Sequence, residues 1–246
     1  VAGSPGMTGA AVLAGRGALR NGIGLLYVVS SEKAAETIDA QLTEGVVYAL
    51  PGEDKLTASE ALEVLMKLTK GAKALAIGPG LGQNPVWLEV IERLFYEVSL
   101  PVVLDADALN LLAQKPELLA GQERKAPLIL TPHPGEMARL CQCTIEEIQA
   151  YRLETAVGKA VEWGCTVVLK GAMTIIAAPD GRAFINPTGN PGLGTGGTGD
   201  VLTGSLLAWL AQGLSPVDAA CLAVYLHGRA GDELAKVYGW SGFTAT

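Results

Sequence analysis

The sequence predicts an α/β fold: a mostly parallel central sheet with helices on both faces and one β-hairpin. Three observations carry that expectation. Short apolar runs at 25–29, 74–77, 102–104, 128–130 and 167–169 are too continuous for half-exposed strands and read as strands buried on both faces. Between them lie longer stretches with apolar residues at helical spacing, the alternation that a parallel sheet needs for its crossovers. The segment Pro179, Asp180, Gly181, Arg182 is a turn signal between residues 174–178 and 183–185, which places a hairpin there.

In chain order, Val1 and Ala2 read as the tail of a strand and Gly3 to Gly6 as a turn. A helix over 8–20 carries Ala10, Ala11, Leu13, Ala14, Ala18 and Leu19 and closes at Asn21 and Gly22. Strands follow at 25–29 and 46–50. An amphipathic helix over 57–70 puts Ala61, Leu62, Leu65 and Leu68 on one face. Strand 74–77, helix 85–98 and strands 102–104 and 128–130 continue the alternation. Helices over 134–141 and 145–164 precede strand 167–169 and the hairpin, and two long helices, 200–212 and 216–236, finish the chain. There is no internal repeat, linker or low-complexity segment, so residues 1–246 are expected to form one domain.

Composition narrows the function classes. Apolar residues make up 49 % of the 246 and charged residues 17 %, a balance that fits a globular chain with a sizeable core. The net charge of −7 excludes a general binder of phosphate backbones, so nucleic acid is not an expected partner. No apolar run approaches the ~20 residues that span a bilayer, and no basic segment followed by an apolar one opens the chain; a soluble, cytoplasmic protein with no membrane partner is expected. Cys141, Cys143, Cys165 and Cys221 are too few and too irregular for a disulfide framework and read as ordinary thiols.

The stretch with the most chemical content is PGLGTGGTGD, residues 191–200. Five of the nine residues from Pro191 to Gly199 are glycine, which has no side chain to bury. Their purpose is backbone shape. Val201, Leu202, Ser205, Leu206, Trp209 and Leu210 then follow helical spacing, with Asp200 where an N-cap or first-turn residue belongs. A glycine loop feeding a helix N-terminus directs several amides and the helix dipole into one anion-binding concavity. Asp200 at its mouth repels phosphate unless it serves the group that attacks phosphate. Alternatively Asp200 is an N-cap and the glycines a flexible connection.

In such a sheet, ligands bind outside the carboxyl ends of the strands. Gly78, Pro79, Gly80, Leu81 and Gly82 follow the strand at 74–77, either as a structural turn or as a place where a ligand meets the backbone. After residue 104 come Asp105, Ala106 and Asp107; for Asp107 alone, capping of the short helix that follows is preferred to catalysis or metal binding. After residue 130 come Thr131, Pro132, His133, Pro134, Gly135 and Glu136, with Pro134 and Glu136 suited to the first and third helical positions and His133 to the N-cap. His133 is either a ligand contact or a satisfied loop histidine. Lys170 ends the strand at 167–169, where it serves a phosphate pocket as counterion or is an exposed turn lysine.

With these segments assembled, the chain resembles the ADP/ATP-dependent NAD(P)H-hydrate dehydratases, a branch of the ribokinase-like superfamily. The resemblance runs through residues 3–13 (GSPGMTGAAVL), 76–82 (AIGPGLG), 103–112 (VLDADALNLL), 130–136 (LTPHPGE), 168–174 (VLKGAMT) and 186–202 (NPTGNPGLGTGGTGDVL). It implies a ribokinase-like fold and repair of the hydrated, (6S)-hydroxylated form of NADH or NADPH: a nucleotide, ADP being the expected donor and ATP the other candidate, phosphorylates the 6-hydroxyl, and loss of phosphate restores the dihydropyridine. It further implies that Asp200 is the general base, that Gly197, Thr198 and Gly199 form the anion hole, and that Lys170, Gly171, Ala172, Met173, Thr174 and Gly199 hold the nucleotide. Ala10, Gly80 and His133, with Asp200, then contact the damaged cofactor. Mg²⁺ is an expected cofactor with unassigned ligands, and a homo-oligomer, a tetramer by family, is expected. No Walker A sequence is present, which removes the P-loop alternative.

The strand expected before Gly3 is almost missing, and the chain stops at Thr246 where the family continues through a further helix. Truncation at both ends is therefore expected, and many bacterial members carry an N-terminal epimerase domain, fused or separate, as a partner. The alternative functions are a ribokinase-like kinase of a thiazole or pyridoxine precursor, marked by a stable phosphorylated product, and an inactive nucleotide-binding module.

Overall fold

A computed structural model describes residues 1–52, 54–120 and 124–246. In chain order it forms α1 (Thr8–Arg20), β1 (Leu26–Ser31), α2 (Glu32–Gln41), β2 (Gly45–Leu50), α3 (Ala58–Thr69), β3 (Leu75–Ile77), α4 (Val86–Glu97), β4 (Val102–Leu104), α5 (Asp107–Leu112), β5 (Leu128–Leu130), α6 (Pro134–Cys141), α7 (Ile145–Ala150), α8 (Arg152–Trp163), β6 (Thr166–Leu169), β7 (Ile175–Ala177), β8 (Ala183–Ile185), α9 (Thr198–Ala211) and α10 (Pro216–Tyr238). The larger sheet has the order β3-β4-β5-β6-β7-β8. Strands β3 to β6 are parallel, while β7 and β8 complete it as the expected antiparallel hairpin.

Strands β1 and β2 form a separate parallel pair. Val1 and Ala2 lie between this pair and the larger sheet: the Ala2 amide donates to Val29, while the Val1 amine donates to Ala76 and the Val1 carbonyl accepts from Gly78. This two-residue stub stitches the pairs together, the role read for it as a strand tail.

The strand triplets are apolar throughout because both faces are covered. Val102 and Leu104 of β4 point into a core shared with α3, α4, α5, α6 and α8, which includes Leu65, Ile91, Leu109, Met137 and Ala160. Val103, between them, points the other way, into a core with Leu202, Leu206, Ala220 and Val224 of α9 and α10. The period-two alternation of a strand divides one apolar run between two helix layers.

Two elements differ from the sequence reading. Helix α2 was not anticipated, because only Ala34, Ala35 and Ile38 of its ten residues are buried and alanines leave a weak apolar period. The stretch 145–164 forms two helices rather than one: Tyr151, at φ −129° and ψ 44°, breaks the path between α7 and α8. The Thr144–Glu147 capping box and left-handed Gly164 then fix the outer ends.

Helices α1 and α9 cross at glycine. A β-carbon on Gly204 would land on the carbonyl oxygen of Ala14, and one on Gly17 would lie 2.6 Å from the Val201 carbonyl oxygen. Gly204→Ala is therefore expected to cost more than the ~1–3 kcal/mol of ordinary overpacking, since backbone cannot step aside as a side chain can. A melting temperature within a degree or two of wild type would contradict this.

Candidate active site

The carboxyl ends of the four parallel strands bring together residues far apart in sequence. β3 leads into the Gly78–Gly82 loop, β4 into Asp105, β5 into Thr131 and His133, and β6 into Lys170.

Asp105 and Lys170 are the centre of this group. Lys170 Nζ lies 2.8 Å from Asp105 Oδ1 and 3.8 Å from Glu136 Oε2, and the Thr203 hydroxyl of α9 donates to Asp105 Oδ2 at 2.6 Å. Burial would raise the Asp105 pKa, but the Lys170 charge and its hydrogen bonds outweigh this and hold the carboxyl below its ordinary value. Burial would likewise lower the Lys170 pKa, and the two carboxylates reverse the effect, so the ammonium stays protonated. The sequence had assigned Lys170 to a nucleotide but had not singled out Asp105. The signal was available: Asp105 occupies on β4 the strand-end position that Lys170 occupies on β6.

His133 caps α6 as expected. Its Nδ1 accepts from the amides of Gly135 and Glu136, and Glu136 returns the bond by accepting from the His133 amide at 2.8 Å. Because Nδ1 is an acceptor, the proton of the neutral ring sits on Nε2, which lies 3.3 Å from Glu136 Oε1. Burial, with help from Lys170 and Arg139, lowers the His133 pKa, so the ring is neutral at pH 7.

Asp107 does not cap its own helix. Its carboxylate accepts from the Gly82 amide at 2.9 Å and from Gln83 at 2.7 Å, pinning the glycine loop after β3, while Ala106, at a positive φ of 50°, takes the N-cap position without a side-chain bond. Gly80 in that loop packs on α1: a β-carbon there would lie 2.6 Å from the Met7 carbonyl oxygen and 2.9 Å from Ala10 Cβ. Two of the four residues assigned to the damaged cofactor, Ala10 and Gly80, are thus neighbours.

Asp200 lies in the first turn of α9, behind the left-handed N-cap Gly197 (φ 92°). Burial and the nearby Asp105 raise its pKa to about 6, against the opposing charge of Lys170. The amides of Gly196, Gly197, Gly199 and Asp200 donate to no group among the described residues. A β-carbon on Gly199 would be 3.7 Å from Lys170 Nζ, so this helix terminus opens beside the ammonium.

Lys170, Gly171, Ala172, Met173, Thr174, Thr198 and Gly199 all line one cavity of about 530 Å³, which His227 and much of the loop from Asn186 to Gly194 also wall. That loop rests on α10 at Gly228 and Gly231, where a side chain would collide with Thr188 and Leu193. His227, which the sequence reading did not single out, is neutral there, its pKa pushed down to about 4 by burial and Lys170.

A family model described as NAD(P)H-hydrate dehydratase matches residues 1–246. The chain belongs to the NAD(P)H-hydrate dehydratase family. Within the family it is 46 % identical over 240 residues to the bifunctional NAD(P)H-hydrate repair enzyme Nnr of Moorella thermoacetica, a match that covers 97 % of this chain and 45 % of that protein. It is 41 % identical over 228 residues to the ADP-dependent (S)-NAD(P)H-hydrate dehydratase of Bacillus subtilis, covering 93 % of this chain and 77 % of the relative. The chain thus spans about half the length of the bifunctional relatives it matches. A solved ADP/ATP-dependent NAD(P)H-hydrate dehydratase from Bacillus subtilis, co-crystallized with ATP/Mg²⁺ and soaked with CoA, superposes with a TM-score of 0.82 at 36 % identity, covering 99 % of this chain and 84 % of that one. The α/β class expected from the sequence, and the dehydratase branch that its motifs resemble, are both borne out.

Proposed function

We propose that this chain is the dehydratase unit of NAD(P)H-hydrate repair, acting as one domain on the (6S) hydrate of NADH or NADPH with ADP as phosphoryl donor. The observation that carries the reading is Asp200, an acid held at about 6 in the first turn of α9, among amides that have no partner among the described residues. A nucleotide-binding module needs no carboxylate beside a phosphate. A phosphoryl transferase needs one base, and otherwise mainly positioning and donors for developing charge.

In this scheme Asp200 takes the proton of the 6-hydroxyl as that oxygen attacks the terminal phosphorus of ADP, breaking its bond to the bridging oxygen and releasing AMP. Gly197, Thr198 and Gly199 present the helix terminus to the moving phosphoryl group, and Lys170 balances its charge. Lys170 to Thr174 and Gly199 hold the nucleotide, while Ala10, Gly80 and His133, through its Nε2–H, contact the hydrate. The ring nitrogen lone pair then expels phosphate, and loss of a proton from the neighbouring carbon restores the dihydropyridine.

Names of relatives support the donor: the Bacillus subtilis protein is called ADP-dependent, and its solved counterpart ADP/ATP-dependent. No group of three or more His, Cys, Asp or Glu side chains that could enclose a metal occurs among the described residues. Mg²⁺ would be held mainly by the nucleotide phosphates, whose charge it would neutralise, the usual manner of this ion. The Nnr relatives support an epimerase as partner, because the hydrate forms in two epimers and this site takes one. Among the described residues no helix is long and apolar enough to cross a membrane. That agrees with a small-molecule substrate met in the cytoplasm.

The test is near-ultraviolet absorbance. NADH hydrate, Mg²⁺ and ADP should regain the dihydropyridine band in the presence of the chain, with ATP in place of ADP as the comparison, and show no gain without nucleotide. A stable phosphorylated product with no band would instead assign a kinase of the thiazole or pyridoxine type.

A further inference from the structure

Arg152, the first residue of α8, has no place in the chemistry above. Its guanidinium pairs with no carboxylate among the described residues and bonds only to backbone. One terminal nitrogen donates to the Ala172 carbonyl at 2.5 Å, and the other to the carbonyls of Leu169 and Lys170, both at 3.3 Å. Its Nε is buried without a partner. An arginine in such a place remains charged, so a half-buried cation stands here with no carboxylate partner among the described residues.

All three carbonyls belong to one short path, the end of β6 and the loop that lines the cavity. Gly171 and Met173 in that loop hold positive φ angles, 136° and 55°. The amides of Gly171, Ala172, Met173 and Thr174 donate to no group among the described residues. The peptide dipoles are therefore sorted, carbonyls on the guanidinium and amides left unpaired. A β-carbon at Gly171 would come within 3.0 Å of an Arg152 terminal nitrogen, so the glycine also clears the way for the fork.

We infer that Arg152 is a positioning residue for the nucleotide: its planar fork fixes the peptide orientations of the Lys170–Thr174 loop, presetting unpaired amides for the nucleotide's acceptor atoms. This rests on the reading of the cavity as the nucleotide site. An ammonium cannot substitute, because a lysine lacks the rigid fork that reaches three carbonyls at once. The break at Tyr151 acquires a purpose as well, since it starts a new helix with Arg152 aimed at this loop.

The experiment measures ADP affinity by calorimetry on the wild type, Arg152→Ala and Arg152→Lys, and steady-state kinetics on all three. Arg152→Ala should raise the ADP Kd roughly tenfold, the loss expected for several charged hydrogen bonds to one loop. At saturating ADP its kcat, and its KM for the hydrate, should stay within about twofold of wild type. Millimolar guanidinium chloride should restore ADP affinity to Arg152→Ala and leave the wild type unchanged. Arg152→Lys, which keeps the charge and spares the fold, should remain severalfold weaker than wild type. Wild-type affinity in Arg152→Lys would overturn the inference, as would a loss in Arg152→Ala that falls on kcat and is not rescued by guanidinium. A wild type that binds ADP but does not convert the hydrate defeats the proposed function and leaves the affinity test of Arg152 intact. A wild type that binds no ADP defeats both.

Discussion

Asp200→Asn should abolish turnover while nucleotide affinity stays within a few-fold of wild type. The substitution keeps the shape of the first turn of α9 and removes the one group there that can accept a proton. Loss of a general base costs typically 10²–10⁴-fold, and the unpaired amides around it are untouched. The pH profile of the wild type should carry the same signature. As the proposed base Asp200 would act ionised, and burial raises its pKa to about 6. Activity should therefore fall as pH drops through 6, well above the range of an ordinary carboxylate. Stability should run the other way. A carboxyl whose folded pKa exceeds its unfolded value binds its proton more tightly in the folded state, so its ionisation destabilises the fold progressively from about pH 4 to 6 and fully above that. Asp200→Asn removes that burden and should melt a few degrees higher at pH 7. An inactive, hotter-melting protein that still binds ADP is the expected result, and near-wild-type turnover would end the proposed mechanism.

Lys170→Met should have the second largest effect, on stability and on nucleotide binding together. It strips the cation from Asp105, which is 1 % exposed, and from Glu136, which is 5 % exposed. Breaking a buried pair by removing one partner costs about 3–5 kcal/mol, which for a chain of this size lowers the melting temperature by roughly 10 °C. The sign with pH is again fixed. In the wild type the pKa of Asp105 is depressed, so its contribution is present at neutral pH and is lost on acidification. In the variant the same burial pushes the carboxyl up, and acid relieves it. The gap between the two melting temperatures should narrow as pH falls from 8 to 5. At temperatures where both proteins are folded, ADP should bind at least tenfold more weakly to the variant, with a smaller effect on kcat at saturation. Equal melting temperatures and equal affinities would show that Lys170 does neither job.

Much of this was legible in the sequence, for identifiable reasons. Runs such as VVL at 102–104 and LIL at 128–130 announce strands covered on both faces, and the strand ends then say where chemistry gathers. His133 could be placed at its N-cap because proline and glutamate fall at the first and third positions after it. What could not be read are pairings across the fold. Asp105 meets Lys170 over 65 residues and Thr203 over 98, and no local pattern encodes either contact. Asp107 shows the converse error. Its neighbours made it a helix cap, whereas the structure spends its carboxylate on Gly82, on the loop after β3. Arg152 left no local trace either, since its partners are backbone carbonyls, which every residue offers alike.

The glycine crossing of α1 and α9 has a bearing on tolerance as well as on folding. Helix α1 carries Ala10, on the hydrate side of the proposed site, and α9 carries Thr198 and Gly199, on the donor side. Backbone rests on backbone where they cross, at Ala14 with Gly204 and Gly17 with Val201. No rotamer can take up slack at such a joint, so the span from acceptor oxygen to phosphorus is gauged by two rigid rods bolted at their crossing. Reactions of positioned groups lose on the order of a hundredfold for a misplacement of about 1 Å, less than the ~1.5 Å rise of a single helical residue. Variation in this family should therefore spare the small residues of that joint even where they lie far from any reacting atom.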